Sequence, residues 1–362
     1  MYIKKDYFSN TFAGTCNNST LYFDKPTQIT GRIFYRISVA GEYNYKFYFS
    51  NNAFSTFNDG AESKANQKGG SYQIVNAKVG VCNCEYTEFN GDGMQTLTFN
   101  GCVAKSVGSG EEFWSDKLLL NVDKDDYLVF EWTVIGDNFS YTPDKIIPSQ
   151  VFDGEKFVFS NAMPQPNMVA CDRKISKKVI FLGDSITQGL GTEFNAYKFW
   201  VARLGEKLVD SYGVWNIGLG FGRAQDAASD GVWLDKAKIA DFVNVCYGIN
   251  DILQGRTVDQ IKADLLTIVL KLKEKGIKVG IFTVPPFDFE DYRETMRNEI
   301  NKFIFDEISK YTEYVFDFSA ALGDPNRPNM TVYGDHPDNN GCKVAVEKYF
   351  EQIDVKKIFG EL

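Results

Sequence analysis

One histidine, His336, stands in a chain of 362 residues. Any reaction here that needs an imidazole as general base must use it. It sits in Gly334-Asp335-His336-Pro337-Asp338-Asn339-Asn340-Gly341, a polar stretch in which Pro337 restricts the backbone after the histidine. Three earlier segments carry groups suited to acyl transfer. In Gly183-Asp184-Ser185-Ile186-Thr187-Gln188-Gly189, glycines on both sides of a serine permit a sharp turn that presents its hydroxyl. That serine's own N–H, at the start of a helix, can donate to a developing oxyanion. In Asn216-Ile217-Gly218-Leu219-Gly220-Phe221-Gly222-Arg223, alternating glycines let a backbone N–H approach a ligand with no Cβ between. The spacing is not that of a dinucleotide loop. Gly248-Ile249-Asn250-Asp251 offers an asparagine amide as another donor. Taken singly, each reads equally as an N-cap, a tight loop or a structural histidine.

Their common placement is what joins them. Val179-Ile180-Phe181-Leu182, Asp241 to Tyr247 and Ile277 to Val284 are short apolar runs without alternation, as expected of strands covered on both faces. Ile261, Leu265, Ile268 and Leu272 form one helical stripe, started by a Thr257/Gln260 capping box and stopped by Gly276. Strand, helix and strand at this spacing predict a doubly wound parallel sheet. Ligands bind such sheets at the carboxyl ends of the strands, where all four segments fall.

The first ~140 residues have a different rhythm. Arg32 to Val39 alternates with period two, and Tyr43 to Phe49, Lys117 to Val122 and Tyr127 to Ile135 are further strand candidates separated by Gly, Asn, Asp and Ser clusters. This predicts an all-β sandwich or jelly roll. From Asp137 to Lys178 the pattern loosens around Pro143, Pro148, Pro164 and Pro166. The expected division is an N-terminal domain with its linker over 1–172 and a catalytic domain over 173–362.

A net charge of −9 disfavours nucleic acid as a partner. No apolar run reaches the ~18 residues needed to span a bilayer. The start, Met1 to Tyr7, lacks an apolar signal core. The seven cysteines include no CxxC pair, Cys82-Asn83-Cys84 coming nearest, so reduced thiols, a cytoplasmic location and no metal are expected.

In their order, these four blocks resemble the SGNH (GDSL-type) hydrolase superfamily, over about residues 177–355. Gly183-Asp184-Ser185 matches the first block and Gly248-Ile249-Asn250-Asp251 the third; Asn216 to Gly222 and His336-Pro337 with Gly341 resemble the second and fourth. The first half is similar, less specifically, to the β-sandwich preceding the hydrolase domain in two-domain members that include carbohydrate esterases. The resemblance implies Ser185 as nucleophile, His336 as base, and an oxyanion hole of Ser185, a glycine and Asn250, with no cofactor. The usual spacing in the second block falls on Phe221, between two glycines, and Gly220 is taken as the donor. The family's acid lies three residues before the histidine, where Tyr333 stands here; Asp335 is the adjacent carboxylate. Either Asp335, another acid or a backbone carbonyl orients the imidazole. The expected substrate is a small-molecule or oligosaccharide ester with a short acyl group, acetyl above all, since no helical lid or long acyl tunnel is marked. Alternatives are a lipid or thioester acyl hydrolase, and a degenerate hydrolase that serves as a carbohydrate-binding module.

Overall fold

The computed structural model describes residues 6–54, 66–208, 210–229, 231–287, 289, 291–323, 331–332 and 336–360. Among these, the N-terminal half forms two antiparallel sheets, one of seven strands and one of five. The seven-stranded sheet is built on the long strands Ser19–Arg36, Tyr127–Tyr141 and Tyr72–Cys82. The five-stranded sheet centres on Gly41–Ser50, flanked by Leu118–Val122 and Met168–Cys171. Aromatic rings fill the space between them. Phe47 of one sheet meets Phe130 of the other at 5.2 Å between centroids, and Phe49 stacks on Trp132 at 5.0 Å.

Two strands explain why alternation is incomplete in this half. In Gly41–Ser50 the odd positions face the sandwich interior, but Tyr48 points the other way, edge-on to Trp215 of the C-terminal half. Both faces of the strand's end are covered, so Phe47-Tyr48-Phe49 is aromatic without alternation. The strand from Tyr127 passes Gly136 with a register shift and continues to Tyr141, beyond the expected end at Ile135. The loosened stretch after Asp137 is likewise more than a linker. Ser149–Phe152 pairs with Gly31–Ile33, and Met168–Cys171 pairs with Tyr45–Tyr48. Pro143, Pro148, Pro164 and Pro166 fall in the connections between these strands, where no ladder N–H is needed.

The parallel sheet begins at Lys177. Its five strands, Lys177–Gly183, Tyr212–Asn216, Phe242–Cys246, Lys278–Phe282 and Tyr314–Phe316, lie in the spatial order second, first, third, fourth, fifth. This is the flavodoxin-like doubly wound order, with its switch point between the first and third strands. Right-handed crossovers then place helices on opposite faces. Helices Ala224–Ala228, Val258–Glu274 and Tyr292–Asp306 pack as one group, and Trp200–Gly205 with Asn339–Gln352 as another. The helix Val258–Glu274 starts at the expected capping box, where Gln260 N donates to Thr257 Oγ1 at 3.3 Å and Thr257 N to Gln260 Oε1 at 3.0 Å. Ile261, Leu265, Ile268 and Leu272 are all buried.

A single apolar cluster runs through both halves, from Phe47 and Trp132 to Trp215, Val243 and Phe282. No helix among the described residues is long and apolar enough to cross a membrane.

Candidate active site

The first parallel strand ends at Gly183, and Ser185 opens a four-residue helix, Ser185–Gln188. Asp184 caps that helix by accepting from Ile186 N at 2.9 Å. A Cβ on Gly183 would stand 2.1 Å from Thr187 Oγ1 and 2.7 Å from the Cys246 carbonyl, so only glycine allows the turn to fold this tightly against the third strand.

Ser185 Oγ lies 2.8 Å from His336 Nε2. With the proton on Nδ1, the neutral imidazole accepts from the hydroxyl, which is the geometry a general base needs. Both residues are largely buried, 7% and 6% exposed. His336 belongs to the short strand His336–Pro337, paired with Thr331–Val332, and Asp338 caps the helix that follows by accepting from Asn340 N and Gly341 N. The Phe287 ring stands edge-on to the imidazole at 5.9 Å. On another side the loop after the serine helix presses close. Gly191 has φ of +96°, and a Cβ there would meet His336 Cβ at 2.7 Å. Asp335, and Tyr333 at the family's usual acid position, lie outside the described residues.

Asn250 lies in the helix Ile249–Leu253 at the end of the third strand, after Gly248 at φ of +133°. Its Nδ2 donates to the Gly222 carbonyl at 3.0 Å, and the amide carries a second N–H. This bond ties the third block to the second. Asp251 does the same from the next position, accepting from Ala224 N at 2.8 Å and Gln225 N at 3.3 Å.

Gly220 lies in the loop after the second strand. Asn216 braces that loop, accepting from Gly218 N at 2.9 Å and donating to the Thr187 carbonyl at 3.0 Å. Leu219 N donates to the Gly183 carbonyl at 3.0 Å. The serine turn and the glycine loop are thereby one hydrogen-bonded unit. Phe221 adopts φ of +59°, a left-handed conformation uncommon for a residue with a side chain.

Two acids beneath this unit hold protons unusually well. Burial raises the Asp184 pKa to about 7, helped by the charge of Asp251; burial likewise raises Asp251 to about 6. Among the described residues, no three His, Cys, Asp or Glu side chains are grouped to hold a metal ion. A cavity of about 470 Å³, lined by Phe12, Arg36, Tyr197 and Tyr212 among others, lies elsewhere, away from the serine and histidine.

Ser185, His336, Asn250 and the Gly220 loop are thus gathered at the carboxyl ends of the first, second and third strands. Asn18 and Asp144, from the N-terminal half, also reach Gly220, and sequence reasoning missed them. No motif marks either residue.

Residues 181–344 match the model of the GDSL-like lipase/acylhydrolase family. Solved structures similar to this chain include a member of the lipolytic G-D-S-L family from Veillonella parvula, at 20% identity, covering 51% of this chain and 99% of that one, with a TM-score of 0.43. Another is an acetylxylan esterase from Geobacillus stearothermophilus, at 19% identity, covering 50% and 95%, with a TM-score of 0.41. A third is TesA, at 21% identity, covering 49% and 98%, with a TM-score of 0.41. No curated protein matches the chain.

Proposed function

We propose that this protein, whose residues 181–344 match the GDSL-like lipase/acylhydrolase family, is a hydrolase that cleaves short-chain acyl esters, acetyl esters of carbohydrates above all, with Ser185 as nucleophile. The observation that carries this reading is the 2.8 Å contact of Ser185 Oγ with His336 Nε2 at the carboxyl ends of a doubly wound sheet.

In this mechanism Ser185 Oγ attacks the ester carbonyl while His336 takes its proton. The imidazolium then protonates the departing alkoxide, and water, deprotonated by the same imidazole, hydrolyses the acyl-enzyme. The oxyanion is held by the Ser185 N–H, a backbone N–H at Gly220 and the second N–H of the Asn250 amide. Losing one such donor typically lowers the rate by about 10²–10³. No metal or cofactor takes part.

The polar surroundings favour a small, hydroxyl-rich substrate over a long acyl chain. Asn18, Asp144 and Asn250 crowd the glycine loop, each by a contact to Gly220 or Gly222.

The test is hydrolysis of nitrophenyl acetate, butyrate and octanoate by wild type and Ser185→Ala. The acetate is expected to be cleaved fastest, and the alanine variant to lose about 10⁴-fold or more in kcat. Wild type that turns over none of the three would sink the esterase reading, and fastest cleavage of octanoate would replace short acyl groups with lipid esters.

A further inference from the structure

Asn18 and Asp144 belong to the N-terminal half, yet both touch the loop that supplies the glycine donor. Asn18 Nδ2 donates to the Gly220 carbonyl at 3.3 Å and to Asp144 Oδ2 at 2.9 Å. Asp144 Oδ2 lies 2.4 Å from the point where a Cβ on Gly220 would stand. The carboxylate therefore fills the space that any other residue at 220 would need.

The two side chains are themselves anchored. Asn18 is 1% exposed, and its N–H donates to the Tyr141 carbonyl at 3.1 Å. Asp144 N donates to Thr142 Oγ1 at 3.3 Å, and Asn161 Nδ2 donates to the Asp144 carbonyl. Two paired strands of the seven-stranded sheet thus deliver the residues, Asn18 just before Ser19–Arg36 and Asp144 just after Tyr127–Tyr141.

A peptide unit is planar, so fixing the Gly220 carbonyl fixes the direction of the N–H at its other end, on Phe221. Phe221 is the residue at φ of +59°. A side-chain-bearing residue holds that conformation only when its surroundings impose it. Burial raises the pKa of Asp144, while its polar neighbours and, less strongly, His336 pull it back toward the ionised form. Gln188, the last residue of the serine helix, is fully buried; its amide also favours the ionised carboxylate without making a hydrogen bond of ordinary geometry.

We propose that Asn18 and Asp144 are positioning residues for ester hydrolysis: gripping the Gly220 carbonyl and packing against the Gly220 α-carbon, they fix both peptides that meet at Gly220, so that its own N–H faces the oxyanion formed at Ser185. This rests on the esterase reading above and extends it, because it makes the N-terminal half part of the machinery.

The test compares Asn18→Ala, Asp144→Ala and the isosteric Asp144→Asn with wild type in the full-length protein. Two quantities are read: kcat and KM for nitrophenyl acetate, and amide hydrogen exchange in peptides covering residues 216–224. Both alanine variants are expected to lose about 10- to 100-fold in kcat, with KM within about threefold of wild type. Exchange of the loop is expected to quicken while the parallel strands keep their protection. Asp144→Asn, which retains the shape and an acceptor for Asn18, is expected to recover much of the lost kcat. Unaltered kcat and exchange in both alanine variants would overturn the proposal, as would a loss lying wholly in KM. Wild type inert toward every ester overturns the esterase reading instead, and the exchange comparison then decides the positioning of the loop by itself.

Discussion

At the scale of single residues, the candidate site concentrates polar groups where water is excluded, and their titration bears the mark of it. Asp184 binds its proton up to about pH 7 in the folded chain, against 3.8 for an ordinary aspartate. The unfolded chain releases that proton near pH 4, so between these values the folded state binds more protons. The stability this proton contributes is present below about pH 4 and is lost as pH rises through about 7. Asp251, raised to about 6, adds in the same direction. Asp184→Asn keeps the acceptor for Ile186 N and removes the buried charge. It is expected to have a higher melting temperature than wild type at pH 8, with the gap closing toward pH 4. Melting curves across that range check it; a gap that widens toward low pH would contradict the assignment.

At the scale of elements, three loops must lie against one another before any of these side chains can act together, and glycines make that possible. Gly218 is the tightest against backbone. A Cβ there would stand 2.4 Å from Gln188 N and 2.7 Å from the Thr187 carbonyl carbon, both backbone atoms that cannot rotate away. Gly218→Ala is expected to push the glycine loop off the serine helix, lowering kcat by about 10²-fold and stability by about 1–3 kcal/mol. Gly255→Ala is the contrasting case. Its φ of +77° is left-handed, which the backbone at Gly218 is not, and nothing lies within 4 Å of the added Cβ. It should lose about 1–2 kcal/mol from backbone strain with kcat unchanged. Equal kcat in the two variants would show that the loop contact is dispensable.

At the scale of the whole molecule, the two halves share one apolar core and a buried charge. Lys236, on the helix Val232–Ala237, is 0% exposed and reaches into the five-stranded sheet. Its Nζ lies 3.2 Å from Tyr48 Oη and 3.3 Å from Glu112 Oε1, over the rings of Tyr48 and Phe54. Burial lowers the lysine's pKa and Glu112 opposes that. Removing one partner of a buried pair leaves an uncompensated charge, at about 3–5 kcal/mol. The Glu112 side chain is 18% exposed, so Glu112→Ala belongs at the lower end, about 3 kcal/mol. Lys236→Met removes the fully buried charge and leaves Glu112, which is partly exposed and still accepts from Tyr48 Oη and Ser50 Oγ, so its cost is expected to be smaller, about 1 kcal/mol. Urea unfolding followed by tryptophan fluorescence distinguishes them, and wild type should unfold in one transition because its core is continuous. Two separated transitions would mean that the halves are held independently.

The sequence by itself determined the parallel sheet, the helix Val258–Glu274 and the arrival of serine, glycine and asparagine segments at strand ends, whereas His336 comes from a short ribbon paired with Thr331–Val332, well beyond the last parallel strand. Those features are local. A period of 3.6, a capping box or a glycine turn is written in neighbouring residues, and strand ends are where a doubly wound sheet binds its ligands. The tertiary structure decided what no local pattern could carry. Ser185 and His336 meet across 151 positions, and Asn18 reaches Gly220 across 202. Strands after Asp137 return to sheets begun a hundred residues earlier because hydrogen-bonding edges there remained to be paired. The strand Gly41–Ser50 shows the same limit. Its aromatic run announces burial, but only packing reveals that one face meets the sandwich and the other meets Trp215. Which half of the chain covers a surface depends on sheet twist and on the direction of each crossover, and neither is recorded in the periodicity of the residues.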